Sequence, residues 1–371
     1  MNTQATNAVP IPMAEEESFY VSSQWQLIRA KFLKHRLAVF GGIVVILFYL
    51  MAIFSGFLSP YEPNERHTDF VYAPPQGIHL SGLRPAVYGY TQTEDPKSFR
   101  RLYTVDRSKS YLLHFFVRGT KYRILGLIPS RIHLFGVPEG TVFLFGTDKL
   151  GRDLFTRNLY SSSISLSIGL LGVALAFFLG CLIGGISGFY GGLIDNVIQR
   201  LIEFLRSVPT IPLWMALSAA LPPQWPPLRI YFGITMILSL LGWSGLARVV
   251  RGKLLELREE DFVMAARLAG ASDARIIGRH LLPGFMSYLI VDITFSVPDM
   301  IIGETALSFL GLGLRPPVVS WGVLLQDAQN IRTITQQPWL LIPALFIIVV
   351  VLMFNFVGDG LRDAADPYKT V

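Results

Sequence analysis

Charge-free apolar blocks constrain this sequence more than any other feature. The clearest covers residues 37–58, 22 residues without Asp, Glu, Lys or Arg. A helix rises about 1.5 Å per residue, so this block is long enough to cross ~30 Å of hydrocarbon. Hydrophobic residues make up 51% of the chain and charged residues only 16%, which is too apolar for an ordinary soluble domain. The chain is therefore predicted to span a membrane.

These blocks predict an all-α polytopic fold with six transmembrane helices. Apart from the block at 37–58, spans are expected over 164–189, 197–221, 230–247, 284–306 and 338–358. The segment 197–221 differs from the others because its first turns contain Arg200, Glu203 and Arg206. At i, i+3 spacing these charges lie near one helix face and can pair there. We expect them at the membrane boundary, with 208–221 deeper in the bilayer.

Basic residues predict which side of the membrane each segment occupies. Cytoplasmic segments carry an excess of Lys and Arg. Two stretches meet that description: the residues just before the first span, and the short connection 248–283 with its seven basic residues. The prediction is a multi-pass protein with cytoplasmic tails at 1–36 and 359–371 and a helical core at 164–358.

The connection 59–163 is expected on the opposite side, as an extended extracytoplasmic domain between the first two helices. Its composition is mixed, with Pro74-Pro75, Gly-Val-Pro at 136–138 and an alternating stretch at 111–117. Turn residues and alternation are typical of folded structure rather than of a flexible linker. Loops longer than about 60 residues cross the membrane largely regardless of charge, so the basic residues in this loop do not oppose the placement.

The segment 259–283 has the pattern of a helix, a glycine and a second helix. Gly270 suits the left-handed position that ends a helix, and Ser272 or Asp273 can cap the next one. Pro283 is expected to break the chain before the following span. By itself, this pattern also fits an ordinary amphipathic hairpin lying on the membrane surface.

The spacing inside this segment resembles a known motif. Ala265-Ala266, a glycine four residues after Ala266, and Leu-Pro twelve residues beyond it are similar to the "EAA" loop of binding-protein-dependent ABC importer permeases. In that family the loop forms a coupling helix that docks into a groove on the ATPase subunit. The Glu of the motif is Met264 here. The resemblance implies an ATPase-coupling role for these residues: Asp261, Ala265, Ala266, Arg267, Gly270, Ser272, Asp273, Leu282 and Pro283.

Other stretches extend the resemblance to most of the chain. In order they are 145–153 (FGTDKLGRD), 188–192 (GFYGG), 303–313 (GETALSFLGLG), 320–322 (SWG) and 358–364 (GDGLRDA). Together they resemble the C-type inner-membrane permease subunit of dipeptide/oligopeptide ABC importers, over about 37–58 and 145–370. The resemblance implies a type I ABC importer permease-like core that translocates solute.

The resemblance also implies partners and cargo. The expected partners are a second permease subunit, two ABC ATPase subunits, an extracytoplasmic solute-binding protein and the lipid of a bacterial inner membrane, without nucleic acid. The cargo is expected to be a di- or oligopeptide, with oligosaccharides or metal chelates as alternatives, because much of the selectivity belongs to the binding protein.

No cofactor is expected on this chain. It contains no Gly-x-x-x-x-Gly-Lys-[Ser/Thr] phosphate loop, the motif that cradles nucleotide phosphates. ATP and Mg are therefore expected on the ATPase partners, and this subunit is expected not to be an enzyme.

Three acids within or beside a predicted span are candidates for the translocation path. Asp292 and Asp299 are seven residues apart, near one helix face, and Glu304 follows them. Ionisable groups inside a span usually face the bundle interior. The alternatives are that the aspartates pair with Arg200 or Arg206, and that Glu304 merely sits at the external end.

Enzymatic and metal-binding alternatives have weaker support in the sequence. Gly242-Trp243-Ser244-Gly245 lies within a span and could belong to an intramembrane serine protease. A nucleophilic serine needs a base within hydrogen-bond reach, and none of the six histidines lies in a predicted span. Close helix packing explains the glycines around Ser244 better. No cluster of His, Cys or Asp has metal-ligand spacing.

Overall fold

A computed structural model of the chain describes residues 24–94, 96, 101–124 and 126–366. Most of the predicted N-terminal tail, and 367–371 of the C-terminal tail, lie outside the described residues. Within these ranges, the following helical segments are long and apolar enough to cross a membrane: Arg36–Ile53, Leu154–Tyr190, Pro227–Leu257, Asp273–Phe309 and Pro338–Ala365.

The elements are numbered here in chain order. The α-helices are α1 (Gln24–Lys34), α2 (Arg36–Ile53), α3 (Ser55–Leu58), α4 (Leu154–Tyr190), α5 (Gly192–Ser207), α6 (Thr210–Ala219), α7 (Pro227–Leu257), α8 (Asp261–Leu268), α9 (Asp273–Arg275), α10 (Met286–Phe309), α11 (Trp321–Leu325), α12 (Ile331–Gln336) and α13 (Ile342–Ala365). The strands are β1 (Ile78–Ser81), β2 (Arg84–Glu94), β3 (Arg101–Leu112), β4 (His114–Ile124) and β5 (Ile128–Gly136). Short 3-10 turns cover Thr68–Phe70, Gln326–Gln329 and Pro338–Leu341.

The prediction of an all-α fold is wrong for the region between the first two spanning helices. Strands β1, β2 and β3 form an antiparallel sheet in that order, and β4 pairs with β5 as an antiparallel hairpin. Aromatic and β-branched residues recur in these strands, and such residues favour extended backbone. The region is folded, while its extracytoplasmic placement stays a prediction.

The structure does not have one continuous helix over the predicted span 197–221. Instead, α5 ends at Ser207 and α6 begins at Thr210. Val208 is extended, with a ψ of 132°, because the ring of the following Pro209 disfavours helical geometry at the residue before it. The apolar α6 has only 10 residues, too few to cross about 30 Å of hydrocarbon. A sixth span is therefore not confirmed.

Pro283 does not interrupt the helical path as expected. Ile276–Leu281 forms a π-helical turn, Leu282–Phe285 forms a 3-10 turn, and α10 follows directly. Pro283 lies in the first turn of the 3-10 segment, where its missing N–H costs no helical hydrogen bond. The loop after α7 is therefore joined to α10 by one helical segment, Asp273–Phe309.

The close packing of α4 against α7 depends on a row of small residues. Gly180, Gly184 and Gly188 recur every fourth residue and face α7. A Cβ added at Gly184 would overlap the backbone of Ala247. Small residues at this spacing let membrane helices approach closely and gain dispersion contacts. The interface between α4 and α7 is the most extensive helix–helix contact among the described residues.

The stretch 145–153 forms a tight loop that starts α4. The Asp148 carboxylate accepts hydrogen bonds from the backbone N–H of Arg152 (3.0 Å) and from its Nε (2.7 Å). Gly151 has a φ of 71°, and any Cβ there would overlap the carbonyl of His67. Asp153 caps α4 by accepting from the N–H of Thr156 at 2.8 Å.

We predict that Gly184→Ala destabilises the protein by about 1–3 kcal/mol, because overpacking a tight interface forces backbone shifts of this cost. The matched control is Gly252→Ala, since Gly252 lies inside the partner helix α7 but its added Cβ would meet no atom within 4 Å. That change should be neutral or stabilise by up to about 1 kcal/mol, as alanine favours helix. Thermal unfolding in detergent measures both. Equal melting temperatures would contradict the packing argument.

We also predict a pH-dependent effect of Asp153→Asn. Burial raises the pKa of Asp153 to about 7, above about 3.9 in an unfolded chain. The folded state then binds more protons, so this contribution to stability is present at low pH and is lost as pH rises towards 7. Asparagine keeps the helix cap but does not titrate.

The stability of Asp153→Asn relative to the native chain should therefore rise by roughly 3 kcal/mol between pH 5 and pH 8. Melting temperatures measured across that range provide the test. Asp106→Asn is the control, because hydrogen bonds from Ser108 lower the pKa of Asp106 and place its titration below the range. Parallel curves for the native chain and Asp153→Asn would show that Asp153 does not titrate there.

Candidate functional site

A cavity of about 540 Å³ lies among α4, the end of α5, α6, α7 and α10. Most of its wall is apolar, including Trp214 and Met300. The charged groups on the wall are Arg206, Asp292 and Asp299. The cavity therefore combines an apolar lining with a few convergent charges, which is typical of a ligand site.

The structure brings the two predicted aspartates to this cavity. Asp292 and Asp299 lie two turns apart on α10, and both contribute to the wall. Among the described residues, neither forms an ion pair with Arg200 or Arg206; Arg200 instead pairs with Glu203 at 2.7 Å. The carboxylates thus face the cavity without an ion pair to any basic residue in the part of the chain that the structure describes.

Glu304 is separate from this pair. It is fully buried, and its carboxylate accepts hydrogen bonds from the hydroxyl groups of Ser165 on α4 (3.2 Å), Ser308 on α10 (2.7 Å) and Ser320 before α11 (2.7 Å). It does not belong to the cavity wall described above. The arrangement joins α4, α10 and the segment before α11 through one carboxylate. A role of Glu304 in the translocation path stays a prediction.

The loop after α7 has the expected glycine stop. The N–H of Ala271 donates to the carbonyl of Ala266 at 3.0 Å, and the N–H of Gly270 donates to that of Arg267 at 2.9 Å, the pair of bonds that defines a Schellman motif. Gly270 has a φ of 76°, which glycine adopts without steric cost. Ser272 stands at the N-cap of α9, but its side chain makes no capping hydrogen bond.

Helix α8 has one packed face and one exposed face. Val263 is fully buried, with Ala266 packed beside it, whereas Phe262, Met264 and Leu268 are exposed apolar residues. The residues predicted to act in ATPase coupling divide accordingly: Asp261, Ala265, Arg267, Gly270, Ser272, Asp273 and Pro283 are exposed, and Ala266 and Leu282 are half-buried.

An apolar cluster fixes this hairpin to two spanning helices. Leu254 of α7, Val263 of α8, and Ile276, Leu281 and Phe285 of the returning segment pack together and are buried. Because the returning segment continues into α10, a force on α8 has a packed route to the helix that carries Asp292 and Asp299.

Two further contacts, neither of them predicted from the sequence, hold α7 and the hairpin to neighbouring helices. Asp195 of α5 binds Arg251 of α7 through both carboxylate oxygens, and Ser187 of α4 donates to the same carboxylate. The Arg251 guanidinium holds the pKa of Asp195 below its usual range. Arg267 lies over the ring of Phe189, 5.1 Å from its centroid. Asp195 and Arg251 are 56 residues apart, so no local pattern indicates the pair.

Ser244, the residue considered as a protease nucleophile, lies on the cavity wall. Its hydroxyl donates to the carbonyl of Leu241 at 2.9 Å. No histidine contributes to the cavity wall in the part of the chain that the structure describes. The geometry therefore provides no imidazole base beside this serine.

In comparisons with known proteins, two family models match this chain. A family model described as "Binding-protein-dependent transport system inner membrane component" matches residues 176–370, which include the cavity helices α5–α7 and α10 and the hairpin. A second, described as "N-terminal TM domain of oligopeptide transport permease C", matches residues 23–75.

Individual relatives agree with these matches. The oligopeptide transport system permease protein OppC of Bacillus subtilis is 32% identical over 355 residues, 95% of this chain and 93% of its own. The dipeptide transport system permease protein DppC of the same organism is 40% identical over 233 residues, 62% of this chain and 70% of its own. OppC of Haemophilus influenzae is 40% identical over 230 residues, 62% of this chain and 71% of its own.

Among solved structures, an inward-facing conformation of the MetNI methionine ABC transporter is similar with a TM-score of 0.40 and 19% identity, covering 54% of this chain and 93% of that one.

The family match spans more than half of this sequence, and the Bacillus subtilis OppC relative aligns with nearly all of it, including the elaborated 59–163 region. The chain therefore belongs to the family of binding-protein-dependent transport system inner membrane components.

Proposed function

We propose that this chain is the permease subunit of an ABC importer that carries di- or oligopeptides across a bacterial inner membrane. The main observation behind the proposal is that α10 connects the α8 hairpin to the cavity. It continues from the hairpin at one end and bears the cavity aspartates along its length. Family membership and the names of the relatives support the cargo class.

The α8 hairpin is the proposed docking point for an ATPase subunit. Its outer face offers exposed Phe262, Met264 and Leu268 around the small Ala265. Apolar groups exposed on a short helix gain free energy when a partner groove covers them. ATP hydrolysis belongs to that partner in this proposal, and the chain itself acts as a transporter rather than an enzyme.

The cavity between α4 and α10 is the proposed solute path. A peptide at neutral pH carries an ammonium group and a carboxylate, and the wall offers aspartates for the first and Arg206 for the second. Its volume of about 540 Å³ lies within the range of small-ligand sites. Oligosaccharides would leave these charges uncompensated, which makes them a poorer match than peptides.

The assembly proposed here has a type I permease core, a second permease subunit, two ABC ATPases and an extracytoplasmic solute-binding protein. Both termini and the 248–283 loop lie in the cytoplasm, where the positive-inside rule favours basic loops. The sheets of 59–163 then lie on the outer side. ATP-driven approach of the two coupling hairpins would tilt α7 and α10 and open the cavity alternately to each side.

We predict that Ala265→Arg abolishes ATPase docking. The added side chain enlarges an exposed small position at the centre of the α8 surface, so at least a tenfold loss of co-purified ATPase is expected, with matching loss of peptide uptake. Ala265→Ser is the control, because it keeps the small volume and should behave as the native chain. Unchanged ATPase recovery with Ala265→Arg would contradict the docking proposal.

We predict that Asp299→Asn lowers peptide uptake in proteoliposomes at least tenfold while ATPase docking stays normal. Removing the carboxylate deletes a charge-assisted contact with the peptide ammonium group, worth roughly 1.5–3 kcal/mol. The control is Glu203→Gln, an exposed acid on α5 that pairs with Arg200 outside the cavity. Native uptake by Asp299→Asn would exclude this aspartate from the path.

A further inference from the structure

An apolar groove of about 700 Å³ separates the end of the first spanning helix from the β4–β5 hairpin. One wall comes from α2 and α3 and includes Leu50 and Phe57. The other wall comes from the strands and includes Phe116, Ile124 and Ile132. Nearly all of the side chains on these walls are aliphatic or aromatic, so the groove suits a hydrocarbon occupant rather than a polar one.

The helical wall is continuous with the membrane-facing surface of α2. Leu47 is 56% exposed, Leu50 44% and Phe54 40%, although all three are large apolar side chains on a spanning helix. In a bilayer such a surface is covered by acyl chains. The groove therefore opens directly onto the hydrocarbon layer next to the end of α2, whichever side of the membrane that end occupies.

The strand wall is held in place against α3. The Nδ1–H of buried His133 donates to the carbonyl of Ser59 at 2.5 Å. Gly56 lies directly under the ring of Tyr122, where a Cβ would overlap it. The ring of Phe116 lies 6.2 Å from that of Phe57 across the groove. The hairpin thus has a defined position at the membrane surface rather than a free one.

The charge of the β4–β5 hairpin indicates which headgroup the occupant of the groove carries. The segments β4 and β5 contain Arg118, Lys121, Arg123 and Arg131, all exposed, and no Asp or Glu. Arg118 is the direct cross-strand partner of Ile132, so it projects from the same face as a groove-lining residue. A cation at the rim of an apolar groove matches a lipid whose headgroup is an anion.

We propose that this groove binds an acyl chain of an anionic phospholipid, with its phosphate-bearing headgroup against Arg118, and that the β4–β5 hairpin thereby anchors the elaborated 59–163 region to the membrane surface. The site is separate from the cavity and the coupling hairpin, and it does not depend on the cargo.

The first test measures what surrounds the groove. Ile132→Cys is introduced with Cys181→Ala, because Cys181 is the sole cysteine, and the full chain is labelled with a nitroxide in phosphatidylcholine/phosphatidylglycerol proteoliposomes together with any subunits that accompany it. Collisions with oxygen should exceed those with a water-soluble nickel chelate. Leu83→Cys, 99% exposed on the β1–β2 turn, is the aqueous control and should show the opposite ratio.

Equal access of the nickel chelate to labels at positions 132 and 83 would overturn the proposal. Exclusion of both oxygen and the nickel chelate from position 132 would overturn it too, because it would indicate that a protein subunit covers the groove. If Ile132→Cys fails to fold, the same collision measurement is made with Phe116→Cys on the neighbouring strand β4.

The second test measures headgroup selectivity. The purified chain is equilibrated with mixed phosphatidylcholine/phosphatidylglycerol micelles, and the retained lipids are quantified by mass spectrometry. Arg118→Gln should lower the retained ratio of phosphatidylglycerol to phosphatidylcholine about fivefold, the change expected for one basic residue near anionic lipid. Arg107→Gln, an exposed arginine on β3, should leave the ratio unchanged. An unchanged ratio with Arg118→Gln, or equal losses in both variants, would overturn the headgroup assignment.

Discussion

Glycines at 180, 184 and 188 let α4 approach α7 until side chains of one helix meet the backbone of the other. In hydrocarbon, apolar side chains gain nothing by leaving lipid, so such close dispersion contacts hold the bundle together. The same two helices bound the cavity, and α7 leads into the α8 hairpin. A looser α4–α7 interface would therefore disturb both the proposed solute path and the proposed docking surface.

The cavity and the hairpin communicate through packed elements rather than through a flexible linker. The π-helical and 3-10 turns at 276–285 keep the segment helical across Pro283, and the buried cluster around Val263 binds α8 to both α7 and the base of α10. In the proposed transport cycle, displacement of α8 by an ATPase would be transmitted as movement of whole helices, as alternating access requires.

Polar groups in this bundle fall into two physical classes. Asp195 with Arg251, and Glu304 with three serines, form hydrogen bonds to neighbouring side chains and so fix positions. Asp292 and Asp299 are left facing a cavity. Because an uncompensated charge in a membrane protein is costly, the second class is the one expected to meet a solute.

The sequence by itself determined the apolar spans, the glycine stop at 270 and the family, because these depend on local composition and spacing. Pro209 is a local signal that the prediction of one helix over 197–221 overlooked. The strands between the first two spans form by pairing between segments, which composition alone does not assign. Tertiary structure alone decided two partners of Glu304, namely Ser165 on α4, which is 139 residues away, and Ser320, which is 16 residues away. It also decided which face of α10 borders the cavity. The face of Asp292 and Asp299 does, whereas Glu304, which falls on another face at 3.6 residues per turn, packs against serines.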